Sequence, residues 1–274
     1  SEDPLLSGKM AASMVNGLQS KGIGATLKHF VANNQETNRR TYNTVVGQRA
    51  LRELYLRGFE IAVKEGKPAA IMTSYNKVNG FYTSENPDLL KNIVRKEWGF
   101  HGLFLTDFDG YGSAVGKVRA GNNMLMGGNK DELNELKRAL KDKTLNESTL
   151  DKNMVYNLQL KLNSPRAKGY IPTMKPDLEG HAKIGREAAA EGMVLLKNKD
   201  NALPFKGVKT VAVFGKMSYF LVEAGTGSGG IGSNRYAITV NDGLKNAGYH
   251  VLKNLEKAYT DFNAGILEDR KSVG

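Results

Sequence analysis

Asp107 ends an apolar run, Gly102-Leu103-Phe104-Leu105-Thr106, with the length and composition of a buried strand. A carboxylate at such a strand end faces the mouth of a parallel α/β fold, where it can serve as nucleophile or base. The competing reading is a cap, in which Asp107 or Asp109 accepts from the first amides of a helix beginning near Tyr111. Lys28-His29 closes a second apolar run, 25–31, and precedes the polar stretch Asn33-Asn34-Gln35-Glu36. Adjacent strand residues point to opposite faces, so both reach one ligand only if the backbone turns there. The alternative is a surface lysine beside a hydrogen-bonded core histidine. Arg39 and Arg40 can clamp a carboxylate or sugar hydroxyls, or be solvated. Tyr75, ending the run 69–75, is either a core aromatic or a hydroxyl donor at a pocket rim.

Positioning these residues requires strands, and the periodicity supplies them between helices. Met10, Met14, Val15 and Leu18 predict a helix over 8–20, and Leu51, Leu54, Tyr55 and Ile61 one over 48–64. Asn86 as cap, Pro87 at the start and Gly99 past the end bound a helix over 87–98. Further helices are expected near 131–141 and 147–161, strands over 25–31, 69–75, 102–106 and 122–126, and a turn at Val78-Asn79-Gly80. Short apolar strands alternating with helices argue for a parallel α/β architecture. Only four such units are visible, whereas a closed (β/α)8 barrel takes about 250 residues. Half a barrel exposes two sheet edges, so residues 1–161 read as the second half of a barrel whose first half lies upstream or in another chain. Residues 162–180 carry three prolines without periodicity and read as a linker. A helix over 181–192, strands over 192–197 and 210–215, a helix over 238–247 and a strand near 249–252 begin a second α/β domain, 181–274, that stops before completing a sheet.

Composition excludes several classes. Among 274 residues, 40% are apolar and 24% charged, as in an ordinary globular chain rather than a fibrous or disordered one. No apolar stretch approaches the length needed to span a bilayer. The absence of cysteine excludes disulfides, a thiolate nucleophile and Cys-based metal sites. The net charge of +11 raises the question of nucleic acid, but Lys and Arg are spread along the chain, and a solvated face is the better reading. The four histidines (29, 101, 181, 250) lack paired-ligand spacing, so no metal is expected. Gly225-Thr226-Gly227-Ser228-Gly229-Gly230 matches a dinucleotide string, yet no strand directly precedes it and no helix opens after it. It reads as a loop that lets backbone approach a ligand. The opening Ser1-Glu2-Asp3-Pro4 lacks an initiator Met, which leads us to expect a start inside a longer protein and leaves the compartment, cytoplasmic or periplasmic and secreted, open.

Taken in order, Lys28-His29-Phe30-Val31-Ala32-Asn33-Asn34-Gln35-Glu36, Arg49-x-Leu51-Arg52-Glu53, Ser74-Tyr75-Asn76-x-Val78-Asn79-Gly80, Glu97-Trp98-Gly99-Phe100-x-Gly102, Thr106-Asp107 and Val194-Leu195-Leu196-Lys197-Asn198 closely resemble bacterial glycoside hydrolase family 3, the β-glucosidase branch. The resemblance covers nearly the whole chain. It implies the C-terminal half of a (β/α)8 TIM-like barrel followed by the start of an α/β sandwich domain. It also implies a retaining, exo-acting β-glucosidase that releases terminal β-D-glucosyl residues. By that resemblance Asp107 matches the nucleophile, and Lys28, His29 and Arg39 match residues that hold sugar hydroxyls. Tyr75 lies beside the nucleophile, Phe108 stands where the family usually has a sugar-stacking Trp, and Ser228 matches a loop reaching over the site. Gln48 and Asn123 replace usual acidic residues and Gly127 a usual Pro. The family's acid/base Glu falls beyond residue 274, and Glu36, Asp109 and Glu223 do not match it, so the site is expected to be incomplete here. No cofactor is implied. The expected partners are a β-glucoside or oligosaccharide substrate and the missing barrel half and second-domain remainder, with a homo-oligomer as one arrangement, and neither nucleic acid nor membrane. The alternative is a non-catalytic carbohydrate-binding or chain-complementing fragment.

Overall fold

Asp3 opens the first helix, α1 (Pro4–Ser20), by accepting from the amides of Leu5 and Leu6 at 2.7 and 3.2 Å. Pro4 suits the first turn because its missing amide would be unpaired there anyway, so the helix starts four residues earlier than its apolar spacing suggests. The structure, a computed structural model, describes residues 2–221 and 235–272; Glu223, the 225–230 glycine run and Ser228 lie outside them. The chain divides into two units, Ser1–Pro176 and Asp177–Gly274.

In the first unit, β1 (Thr26–Phe30) leads through β2 (Asn43–Thr44) to α2 (48–66), which winds into π turns at Leu51–Tyr55 and Ala62–Gly66. Next come β3 (Ala70–Thr73) and a hairpin of β4 (Lys77–Val78) and β5 (Phe81–Tyr82). Asn79 and Gly80 both have positive φ, 49° and 93°, as a two-residue hairpin turn of this hand requires. Helix α3 (Asp88–Glu97) has π-helical winding and is capped as expected, the Asn86 side chain accepting from Asp88 and Leu89. Then follow β6 (Leu103–Leu105), α4 (Ala114–Ala120), α5 (Lys130–Lys141) and α6 (Glu147–Asn163).

Strands β1, β3 and β6 form one parallel sheet in that order, the half-barrel arrangement expected. Phe30, Ile71 and Phe104 send one face of it against Leu56 and Val63 of α2 and Leu90 and Val94 of α3. Each such fully buried side chain contributes about 1.5–3 kcal/mol. The fourth expected strand, 122–126, is reduced to a parallel bridge between Leu105 and Met124 with amide bonds to Phe104. Asn123 turns its side chain inward there, its Oδ1 accepting from the Phe104 amide at 2.7 Å, and regular pairing stops.

The second unit holds α7 (Leu178–Glu191), β7 (Thr210–Val211), α8 (Val240–Asn246), β8 (His250–Val251) and α9 (Lys253–Ser272). Thr239 and Asp242 form a reciprocal capping box on α8. β7 and β8 pair in parallel, so both expected strands shorten to two residues. The strand expected over 192–197 is irregular instead: a strand needs an edge to pair with, and among the described residues Val194 and Leu196 are left 76% and 92% exposed.

A half-buried cation sits between the sheet and α6. The Arg95 guanidinium donates to the Phe100 and Gly102 carbonyls at 3.0 and 2.6 Å and to Asn123 Oδ1 at 3.0 Å. It lies 4.0 Å from the centroid of Tyr156 and 4.6 Å from that of Phe104. No carboxylate pairs with it among the described residues, and burial pushes its pKa down to about 10. Arg95→Met leaves these acceptors without their donor and is expected to destabilise the chain by about 2–4 kcal/mol. Urea unfolding followed by the fluorescence of Trp98, the single tryptophan, measures it.

Candidate functional site

Parallel strands linked by helices end on one edge of their sheet, and that edge gathers Lys28-His29, Tyr75 and Asp107. The β1–β3 register pairs Leu27 with Ile71 but Phe30 with Thr73, so β1 carries one extra residue at Lys28-His29. A bulge of this kind breaks the strict alternation of faces. Leu27 and Phe30 consequently both pack on the helix-side core, and His29 is free to turn toward Asp107. Its Nε2 lies 3.3 Å from Asp107 Oδ2. The Lys28–His29 and Phe30–Val31 peptides are both cis.

Asp107 does not cap a helix, and neither does Asp109: Ser113 caps α4, its hydroxyl accepting from the Gly116 amide. The Asp107 carboxylate is 15% exposed, at the surface of the strand edge rather than packed inside it. Its Oδ1 accepts from the Phe108 amide at 2.8 Å, and its main-chain carbonyl accepts from the Gly110 amide at 3.2 Å. Two further contacts hold this turn. The Tyr75 hydroxyl donates to the Phe108 carbonyl at 2.6 Å. From beneath, the fully buried Lys117 ammonium donates to the Gly110 carbonyl and to Glu132 at 2.6 Å. Phe108 itself is 56% exposed.

Arg39 reaches the cluster over the Tyr75 ring, 4.8 Å from its centroid, while pairing with Glu36 at 2.7 Å. Lys28 is exposed. With His29 it lines a cavity of about 780 Å³ between β1, α1 and α2, a cavity that Asp107 does not border. Ser228 lies outside the described residues. Gly127 has φ +102°, which proline cannot adopt, and a Cβ there would lie 2.3 Å from Asp109 Oδ1.

Tyr111 escaped the sequence reading as a site residue, and Arg40 was named there only as the undifferentiated neighbour of Arg39. Tyr111 stacks nearly parallel on Tyr82, centroids 6.4 Å apart, and Arg40 lies over both Tyr75 and Tyr111, at 5.1 and 5.8 Å. An aromatic between two glycines just after a strand end was the available signal for Tyr111. For Arg40, adjacent to Arg39, nothing in the sequence separated the two. Among the described residues no group of three or more His, Asp or Glu is placed to hold a metal ion, and no helix is long and apolar enough to cross a membrane.

Burial pushes the His29 imidazole below its ordinary value of 6.5; the Asp107 carboxylate opposes that, and Lys28 and Arg39 reinforce it. Burial, then Asp107, raises the Tyr75 phenol, so both groups are neutral at pH 7. A neutral imidazole offers the carboxylate a hydrogen bond without a full ion pair, and a neutral phenol keeps its proton for donation.

Residues 1–159 match the glycosyl hydrolase family 3 N terminal domain, and residues 193–267 the glycosyl hydrolase family 3 C-terminal domain. The chain belongs to glycosyl hydrolase family 3. It is 41% identical over 247 residues to probable beta-glucosidase J of Emericella nidulans, covering 89% of this chain and 29% of that protein. It is 38% identical over 272 residues to thermostable beta-glucosidase B of Acetivibrio thermocellus, covering 98% and 36%. The solved structure of beta-glucosidase 3B from Thermotoga neapolitana in complex with alpha-D-glucose superposes with a TM-score of 0.90 at 45% identity, covering 98% of this chain and 38% of that one. This family 3 chain therefore spans roughly a third of the relatives it matches.

The depressed His29 value sets a direction for stability against pH. The folded state holds this imidazole neutral while the unfolded chain protonates it below 6.5, so the unfolded state binds more protons there and stability falls with acidification. His29→Gln is expected to flatten the fall in urea midpoint as the pH drops below about 6.5, relative to the parent chain. An unchanged slope would remove His29 as its source.

Proposed function

We propose that this chain carries the nucleophile side of a retaining β-glucosidase site, with Asp107 as nucleophile. What supports the reading most is the carboxylate at the β6 end, freed from any capping duty, oriented by His29 and the Phe108 amide, beside exposed Phe108 and a set of polar donors. An Asp107 oxygen attacks the anomeric carbon of a terminal β-D-glucosyl residue as the bond to the leaving-group oxygen breaks. That oxygen takes a proton from an acid, and the sugar remains on Asp107 as a glycosyl ester. Water, deprotonated by the same group, then attacks the anomeric carbon and Asp107 departs as carboxylate. No residue of this chain is assigned the acid/base role, which requires a second carboxyl about 5–5.5 Å away. Lys28, His29, Arg39 and Tyr75 are assigned to the sugar hydroxyls, Phe108 to stacking against the sugar or its aglycone, and Ser228 to a loop over the site.

The barrel's other half and the remainder of the second domain complete the site on this reading. The edge of β1, which no strand covers among the described residues, and the short share of each relative that the chain spans both favour it. The 274-residue chain alone is expected to hydrolyse an aryl β-glucoside slowly or not at all, and a full rate from it would place the acid/base within the chain. In the longest protein that carries the chain, Asp107→Asn is expected to lower kcat at least about 10³-fold, because the covalent step is lost. A 2-deoxy-2-fluoro-β-glucoside with a dinitrophenolate leaving group, which departs without acid help, is expected to label the Asp107 peptide in mass spectrometry. Labelling elsewhere, or equal labelling of the Asn variant, rejects the mechanism.

A further inference from the structure

Arg40 differs from its neighbour in what holds it. Arg39 is ion-paired with Glu36, whereas Arg40 has no carboxylate within ion-pair distance among the described residues. It is exposed, yet its guanidinium lies over two tyrosine rings, Tyr75 at 5.1 Å and Tyr111 at 5.8 Å. The series continues outward, for Tyr111 stacks on Tyr82 within 16° of parallel, and the Lys77 ammonium lies 4.8 Å from the Tyr82 centroid. From the β4–β5 hairpin to the end of β3 the order is thus Lys77, the stacked Tyr82–Tyr111 pair, Arg40 and Tyr75.

At the inner end of this series the consequences reach Asp107. The Tyr75 hydroxyl bonds the Phe108 carbonyl, and the Phe108 amide bonds Asp107 Oδ1. The Tyr75 ring pose therefore sets the peptide plane that aims one carboxylate oxygen, leaving Oδ2 toward His29. A planar guanidinium between two aromatic faces resists ring rotation in a way that a solvated side chain does not. We propose that Arg40 is a positioning residue of the Asp107 site, bracketed by Tyr75 and Tyr111 so as to hold Tyr75 against the Phe108 carbonyl. The assignment of a catalytic consequence rests on the glycosidase reading; the effect on Tyr75 does not. Arg40 also pulls the Tyr75 phenol down, against burial and Asp107, so its removal has a spectroscopic signature.

The experiment uses Arg40→Gln and Arg40→Lys in the 274-residue chain, with ¹³Cζ-labelled tyrosine. The Tyr75 signal, assigned by its loss in Tyr75→Phe, is expected to titrate at higher pH in Arg40→Gln and to move part of the way back in Arg40→Lys. An unmoved Tyr75 titration in Arg40→Gln overturns the proposal whatever the protein's activity. In the longest protein carrying the chain, the maximal rate of labelling by the fluoroglucoside is expected to fall about tenfold in Arg40→Gln, with the half-saturating concentration within about twofold. A change confined to half-saturation makes Arg40 a direct ligand contact and also overturns it. Should the parent protein itself fail to label at Asp107, the glycosidase reading falls and the tyrosine titration alone decides Arg40's part.

Discussion

Parallel pairing of Thr26–Phe30, Ala70–Thr73 and Leu103–Leu105 makes three separate strand ends meet on one edge, and the candidate site depends on this more than on any single polar contact. Helical connections force neighbouring strands to run the same way. Residues 28–29, 75 and 107, far apart in sequence, therefore converge without a dedicated loop. The bulge in β1 is the necessary exception. In a regular strand Leu27 and Phe30 would face opposite sides, and one of them would lose its place in the core. The extra residue keeps both inward and releases the Lys28-His29 pair from alternation.

Two half-buried basic side chains of the same unit, both without a full carboxylate ion pair, respond to desolvation in opposite ways. His29, partly buried beside Asp107, responds to desolvation by remaining neutral, which its ordinary value near neutrality permits. Arg95 cannot shed its proton at pH 7, so its charge is spread over two carbonyls, an amide oxygen and three aromatic faces. The side chain that Arg95 meets at position 123 is a neutral carboxamide and so supplies no counterion. Its carboxamide does two jobs there, accepting from Arg95 and from the Phe104 amide, and so ends the fourth strand as a regular element.

Much of this was legible in the sequence because local signals and tertiary structure agree. Asn86-Pro87 and Gly99 bound α3, Asn79-Gly80 makes the hairpin, and Asp107 lies just past β6. What stayed hidden required a partner to define it. The 192–197 run has strand composition, yet its local pattern says nothing of whether an edge is available to pair with it. The cap for α4 is Ser113, outside the Asp107–Asp109 pair that the sequence reading weighed, because it depends on backbone direction after the strand, which composition leaves open. Arg40 and Arg39 are alike as letters, and only the placement of Glu36, Tyr75 and Tyr111 around them separates an ion-paired arginine from a ring-bracketed one.

The two sides of the site differ in how far this chain determines them. On the Asp107 side, the turn is held by Tyr75 from the neighbouring strand and by buried Lys117 from the following helix, both bonding main-chain carbonyls. Those contacts close within the chain, so the carboxylate's aim needs nothing from outside. On the β1 side, Lys28 and His29 border a cavity along a strand edge that no other strand covers among the described residues. Whatever lies along that edge alters the solvation of His29, and through it the charge facing Asp107. A carboxylate fixed by its own scaffold and a histidine whose burial depends on its neighbour put the chemistry on one side and the completion of the binding surface on the other.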